Sequence, residues 1–212
     1  MTAEPSRHEF SCNGPKAKTR ERTLSIVQEH TRFWHNGHLT CDWMELCGKG
    51  DETLKMLLDA DALQTNCGRY LGVNIEEGVL DYNREGFTPQ TEAGLVQWVP
   101  GDLCTLLSDL DAFPNTGIIV FDSFNSASKV NLDVILDTIL GFAKSQQRKL
   151  GQALVVLNLA LRGNMVHGRE AGKRRLQEYL RERLGVEVSQ EQFHDYRSKK
   201  VEMRMCWIGL GF

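Results

Sequence analysis

The chain has 212 residues, 41% apolar and 25% charged, with a formal net charge of −3; that length suits one domain with its own core, and so even a balance creates no field that selects a polyanion. Six cysteines include no C-x-x-C pair, and Cys104 and Cys206 sit inside apolar runs as small packing residues of a reducing compartment. The first 22 residues are polar, and no uninterrupted apolar stretch reaches bilayer length, so the sequence predicts a cytoplasmic protein.

Residues 1–18 carry Pro5, Gly14 and Pro15 without periodicity and read as a flexible tail ahead of a single domain over 19–212. Leu24, Ile26, Val27 and Phe33 predict a moderately amphipathic helix over 19–33, within an N-terminal helix or lid over 19–39; the core follows over 40–212. His35-Asn36-Gly37-His38 reads as a turn. A short apolar run over 41–47 ends in glycines, and Leu54, Leu57 and Leu58 place a helix over 51–63. Residues 70–75 read as a strand, 77–84 as a short helix, and 95–99 as a strand closed by Pro100-Gly101.

The β-branched run over 117–121 has the pattern of a strand buried on both faces. Leu132, Ile135, Leu136, Ile139, Leu140 and Ala143 repeat at helical spacing, and Gly151 stands where the helix should stop. Residues 153–159 form a second buried run, and 169–184 a highly charged helix. Strand character returns at 186–188 and 193–196; Val201, Met203, Met205 and Trp207 then alternate with polar residues, as in an antiparallel pair. Alternating strand–helix units predict an α/β, doubly wound, mostly parallel sheet with helices on both faces and an antiparallel C-terminal hairpin. Ligands of such sheets bind beyond the carboxyl ends of the strands, at the switch point.

Four strand ends carry suggestive residues. Glu45-Leu46-Cys47-Gly48-Lys49-Gly50-Asp51 closes the first, Gly72-Val73-Asn74-Ile75-Glu76 the second, Gly101-Asp102-Leu103 the third, and Phe121-Asp122-Ser123-Phe124-Asn125 the fourth. In order and spacing these segments resemble the class I S-adenosylmethionine-dependent methyltransferases over about residues 40 to 210. ELCGKG resembles that family's acidic residue and glycine turn, YLGVNIEEGVLDYNRE its second-strand segment with a closing N-R pair, VPGDLCTLL its third-strand "GD" step, and IIVFDSF its fourth strand. The resemblance implies seven strands and an S-adenosylmethionine cofactor. It implies Asn74 or Glu76 at the ribose, with Ile75 between them, and Asp102 with Leu103 at the adenine. Gly48 and Gly50, flanked by Glu45 and Cys47, would line the methionine part, and Asp122, Ser123 and Phe124 would face the transferring methyl. Cys47 stands where the family has a glycine, which a one-residue deletion restores, and Asn74 stands where it has an aspartate.

Other chemistries are less well matched. The phosphate-loop and G-x-G-x-x-G spacings are absent around Lys49, and FDSFN lacks the acid/Asn-Pro-Pro-aromatic pattern of amino-directed DNA methylation. Asn125 and Ser126 also suit a helix cap. His35, His38 and Cys41 straddle a turn and a buried strand, so they read as surface or mouth-lining residues and not as zinc ligands. Phe33 and Trp34 suit either a lid or the core. Acids interleaved with the bases of 169–184 make that helix a solvated face.

Methyl transfer by in-line displacement needs orientation and a dry pocket more than a strong base. Asp122 and Asn125 are the candidates to orient an oxygen or nitrogen acceptor. A small-molecule acceptor is favoured; bases in the tail (Lys16, Lys18, Arg20, Arg22) keep RNA or protein acceptors open. A methyltransferase-fold binding or scaffold protein without catalysis, motivated by Cys47 and Asn74, is the alternative, and a nucleotide-binding protein the third.

Overall fold

The computed structural model describes residues 15–126, 132–160, 178, 181–182, 193–198 and 201–211. The opening helix α1 (Pro15–Glu29) starts four residues earlier than its apolar spacing predicts; proline is tolerated in the first turn, where its missing N–H would have no partner. A two-residue hairpin follows, β1 (Trp34–His35) against β2 (His38–Leu39), and its turn places Asn36 and Gly37 at positive φ.

The main chain of elements is β3 (Asp42–Leu46), α2 (Glu52–Asp59), β4 (Tyr70–Asn74), α3 (Glu77–Gly86), α4 (Thr88–Glu92), β5 (Val96–Pro100), α5 (Leu103–Leu107), β6 (Thr116–Ser126), α6 (Leu132–Leu150), β7 (Ala153–Ala160), β8 (Phe193–Ser198) and β9 (Val201–Leu210). Helices α4 and α5, five residues each, are too short for a periodicity to show. Seven strands form one sheet in the order β5-β4-β3-β6-β7-β9-β8. β5, β4, β3, β6 and β7 run parallel, while β9 is antiparallel to both β7 and β8. The doubly wound sheet with its antiparallel end is therefore the architecture the sequence predicts. The switch point lies between β3 and β6, where the chain reverses its direction of strand addition.

Apolar side chains fill both faces. One core holds Trp43, Leu54, Leu57, Tyr70, Val120 and Met205 beneath α1 and α2. The other holds Met44, Leu71, Ile119, Phe142, Val155 and Ile208 beneath α5 and α6. The alternation in β9 does not mark a solvent face. Met203, Met205 and Trp207 are buried on one side, and Arg204, Cys206 and Ile208 on the other, because α1 covers one face of the sheet here and α6 the other. Arg204 is tolerated there through a bidentate pair with Asp195, at 2.6 and 2.7 Å.

Helix α1 runs down the first face from the carboxyl edge of the sheet to the amino edge. Lys16 pairs with Asp122 on β6, Trp207 Nε1 donates to Thr23 Oγ1 at 2.9 Å, and Arg32, just beyond the helix, donates to the Gly151 carbonyl ahead of β7. Phe33 is buried with Leu39 in the first core, and Trp34 packs against it. The β1–β2 hairpin precedes β3, so its histidines lie at the amino edge, away from the strand ends that form a ligand mouth; His38 Nδ1 is 2.7 Å from the Asp61 carbonyl. No helix among the described residues is long and apolar enough to cross a membrane. The strand expected over 186–188 and most of the charged helix over 169–184 lie outside the described residues.

Candidate functional site

The carboxyl ends of β3, β4 and β5 lie side by side. Leu46 pairs with Val73, Asn74 with Pro100, and the Gly101 N–H donates to the Asn74 carbonyl at 3.0 Å. Beyond β3 the chain turns through Cys47, Gly48, Lys49 and Gly50 into α2. Gly50 needs its positive φ of 68°, while a side chain at Gly48 would meet nothing within 4 Å, so the turn presents open backbone at that point. Asp51 caps α2, its Oδ1 accepting from the Leu54 N–H at 3.0 Å.

Two asparagines hold this turn from the β4–α3 side. Asn83 on α3 donates from Nδ2 to the Gly48 carbonyl at 2.7 Å, and its Oδ1 accepts from the Gly50 N–H at 2.8 Å. Asn74 donates from Nδ2 to the Cys47 carbonyl at 2.6 Å, and its Oδ1 accepts from the Glu76 N–H at 2.8 Å. Both ends of the Asn74 amide are thus engaged within the protein. An aspartate could not make the first of these bonds, which gives the departure from the family's usual acid a local structural role.

The neighbouring residues divide by exposure. Ile75 is 77% exposed, a large apolar side chain presented at the strand end. Glu76 is exposed and precedes α3 without a side-chain capping bond. Asp102 caps α5, with Oδ1 accepting from the Thr105 N–H at 2.9 Å. Leu103 is fully buried in the second core, so only its backbone is available to a ligand. Cys47 is buried too, and burial pushes its thiol well above the ordinary range, which suits packing and opposes nucleophilic use.

Glu45 belongs to a buried acidic cluster beneath α1. Its Oε2 accepts from Trp43 Nε1 at 3.1 Å and its Oε1 from Thr53 Oγ1 at 3.0 Å. Burial first, then the Asp51 and Asp122 charges, pushes its carboxyl up to about 8, against the opposing pull of Arg20. Asp51 is raised by burial as well, although it accepts a hydrogen bond from the Tyr70 hydroxyl. Arg20 lines the same space, and its Nε is buried without a hydrogen-bond partner among the described residues.

Asp122, on β6, faces this cluster. Its Oδ2 pairs with the Lys16 ammonium, and its Oδ1 accepts from Asn158 Nδ2 at 2.9 Å. Asn158 on β7 is fully buried and exchanges two hydrogen bonds with the Tyr196 hydroxyl, at 2.7 and 2.9 Å. Ser123, Phe124 and Asn125 continue β6 to Ser126; their side chains lie outside the described residues.

Asn83 stands in the N-R pair that closes the second-strand segment, whereas Asn158 and Tyr196 escape a reading based on strand-end motifs. Asn83 shares the buried face of α3 with Val79 and Leu80, and Asn158 interrupts an otherwise apolar strand. A polar residue at such a position must have an internal partner. Lys16 and Arg20, four residues apart on α1, turn inward to the acids, whereas Lys18 and Arg22 face solvent.

No protein-family model matches the sequence, and no curated protein matches it. Solved structures with this fold are numerous. The O-methyltransferase TomG from Streptomyces achromogenes, involved in tomaymycin synthesis and solved in complex with SAM, is 17% identical with a TM-score of 0.59, covering 95% of this chain and 82% of TomG. A human methyltransferase 10 domain containing protein is 14% identical at a TM-score of 0.57, covering 97% and 87%. TYW2 from M. jannaschii, in complex with AdoMet, is 12% identical at 0.52, covering 97% and 80%. At these identities the likeness is one of fold, and that fold is the class I methyltransferase fold.

Proposed function

We propose that the chain is an S-adenosylmethionine-dependent methyltransferase acting on an oxygen or nitrogen acceptor of a small molecule. The observation that carries this reading is the row of strand ends beside the switch point: an open glycine turn at Gly48, exposed Ile75 and Glu76, and Asp102 at the next strand. TomG and TYW2, which share the fold, were solved with the same cofactor.

The residues present fit that cofactor. Gly48 leaves the space a methionine group needs. Ile75 offers an apolar surface to the adenine ring, and Glu76 two acceptor oxygens to the ribose hydroxyls. Asp102 keeps its cap with one oxygen, and its other oxygen faces the adenine amino group in this reading. Asn74 acts indirectly, by holding the turn to β4. When bound, the cofactor supplies an electrophilic methyl group on a sulfonium. The chain's own task is then to place the acceptor in line and keep water out. Asp122, braced by Asn158, is the group suited to orient the acceptor, with Asn125 three residues on as the second candidate.

Small-molecule acceptors are favoured because Lys16 and Arg20 are turned toward internal acids, which removes half of the tail's four bases from a surface that could hold RNA. The second reading, a binding or scaffold protein on this fold, draws on the fully engaged Asn74 amide. Calorimetric titration with S-adenosylmethionine and S-adenosylhomocysteine separates the two. The methyltransferase reading expects micromolar binding, weakened at least about tenfold, roughly 1.4 kcal/mol, in Glu76→Ala or Asp102→Ala. No binding by a folded wild-type chain leaves the scaffold reading.

A further inference from the structure

A chamber of about 20 Å³ lies beneath the first two turns of α1, room for about one water molecule. Trp43, Val120 and Met205 form apolar walls; Lys16, Arg20, Glu45, Thr53, Asp122 and Asn158 bring polar groups into it. Within this chamber Asp122 is fixed from behind. The buried Asn158–Tyr196 pair sets the position of Oδ1 and so aims Oδ2 into the chamber, where an ammonium already meets it. The two cations of α1 that turn inward have separate tasks. Arg20 offsets the buried Glu45 and Asp51, and Lys16 pairs with Asp122. Lys16 arrives from the first turn of a helix, with 29% of its side chain exposed, whereas the Asp122 side chain is 9% exposed. The carboxylate is therefore the fixed partner and the ammonium the exchangeable one.

A hydroxyl acceptor gains nothing from this arrangement. It needs a base, and the described acids beside the chamber are committed: Asp122 to a cation and an amide donor, Glu45 to two hydrogen-bond donors in a buried site. An ammonium docks on a carboxylate as a charged hydrogen-bond donor and, being far more acidic than a hydroxyl, can lose its proton to water without a protein base. Resting on the methyltransferase reading above, we propose that the acceptor is an aliphatic amine whose ammonium replaces that of Lys16 on Asp122 Oδ2.

The docked ammonium gives one proton to water. Its nitrogen lone pair then forms the new C–N bond, while the electron pair of the broken C–S bond stays on the donor's sulfur. The product nitrogen is again an ammonium, and Asp122 holds it until release. Electrons and protons balance without a further reagent.

n-Butylamine copies the Lys16 side chain from Cβ outward, and n-butanol is its uncharged counterpart, so this pair isolates the ammonium. With S-adenosylmethionine present, formation of S-adenosylhomocysteine should be at least tenfold faster, as kcat/KM, with the amine. Lys16→Met, which removes the internal competitor, should lower the KM for butylamine severalfold, and Asp122→Asn should abolish the preference. Titration of butylamine without the cofactor should show binding several times tighter to Lys16→Met than to wild type. If the cofactor does not bind, that result still marks an amine site on Asp122, while the methyl-transfer reading falls and the acceptor role with it. Cofactor binding accompanied by equal or faster use of butanol overturns the proposal. Turnover of neither probe, or a higher amine KM in Lys16→Met, overturns it as well, and each leaves the methyltransferase reading in place.

Discussion

Replacing Glu45 by glutamine tests whether the acidic cluster beneath α1 is a protonated one. In the folded chain burial and the charges of Asp51 and Asp122 raise the Glu45 carboxyl from 4.5 to about 8. Between those values the folded state holds a proton that the unfolded state has released, so stability falls as pH rises through the window. One proton corresponds to about 1.36 kcal/mol per pH unit, so the wild type should lose about 2.7 kcal/mol from pH 5.5 to 7.5 through this group. Glutamine fits the same space: its carbonyl can accept from Trp43 Nε1 while its amide donates to Thr53 Oγ1, the hydroxyl reversing its role. Urea unfolding followed by tryptophan emission should therefore show the Glu45→Gln variant gaining on wild type as pH rises, by about 1.4 kcal/mol per unit. Parallel stability curves over pH 5.5–7.5 would refute the reasoning, for they would mean that Glu45 is ionised in the fold.

Asn83→Ala removes both side-chain bonds to the glycine turn and strands the Gly50 N–H and Gly48 carbonyl; a loss of about 2 kcal/mol in urea unfolding, with weaker cofactor binding, is expected. Asn74→Asp restores the family's usual acid yet sets a carboxylate oxygen against the Cys47 carbonyl in place of a 2.6 Å hydrogen bond. It should destabilise by about 1–3 kcal/mol, and unchanged stability would disprove the strap. Gly72→Ala would drive a methyl group to 2.5 Å from the Trp98 ring; thermal unfolding should register a loss of about 1–3 kcal/mol. Tyr196→Phe deletes the hydroxyl that exchanges two bonds with Asn158, at a cost of about 1–2 kcal/mol, and should relax the orientation of Asp122.

The parallel strands were legible because burial on both faces leaves continuous apolar runs, as in residues 153–159, and helix α6 because its apolar spacing persists over many turns. Boundaries drifted where backbone hydrogen bonding, invisible to composition, decides them. β6 continues to Ser126 through polar residues, and α1 begins at a proline. Strand β9 was legible as part of an antiparallel pair, but its burial on both faces was not: alternation marks a solvent face only when one face is wet, and here a bidentate Asp195 makes a buried arginine tolerable. At the site, the strand-end glycines and acids could be found from the sequence, since turns and caps have residue signatures. The partners of the asparagine straps and of the α1 cations could not, because they lie 27 residues away or more in the chain. The buried Glu45 was placed near a ligand, but its protonation depends on Asp51, Asp122 and Arg20, which only the fold brings together.

Helix α1 is fastened unevenly along its length. Thr23 is tied to Trp207 and Val27 is buried in the core, whereas Lys16 in the first turn reaches Asp122 with 29% of its side chain exposed. Unwinding about one turn at that end would open the chamber. Helix ends relax in well under a microsecond, far faster than turnover by most enzymes. Access to Asp122 would be in continuous equilibrium with solvent, and a ligand would find the entrance by waiting out a frayed end. Backbone amides around residues 16–20 should accordingly exchange with deuterium orders of magnitude faster than those beyond Thr23.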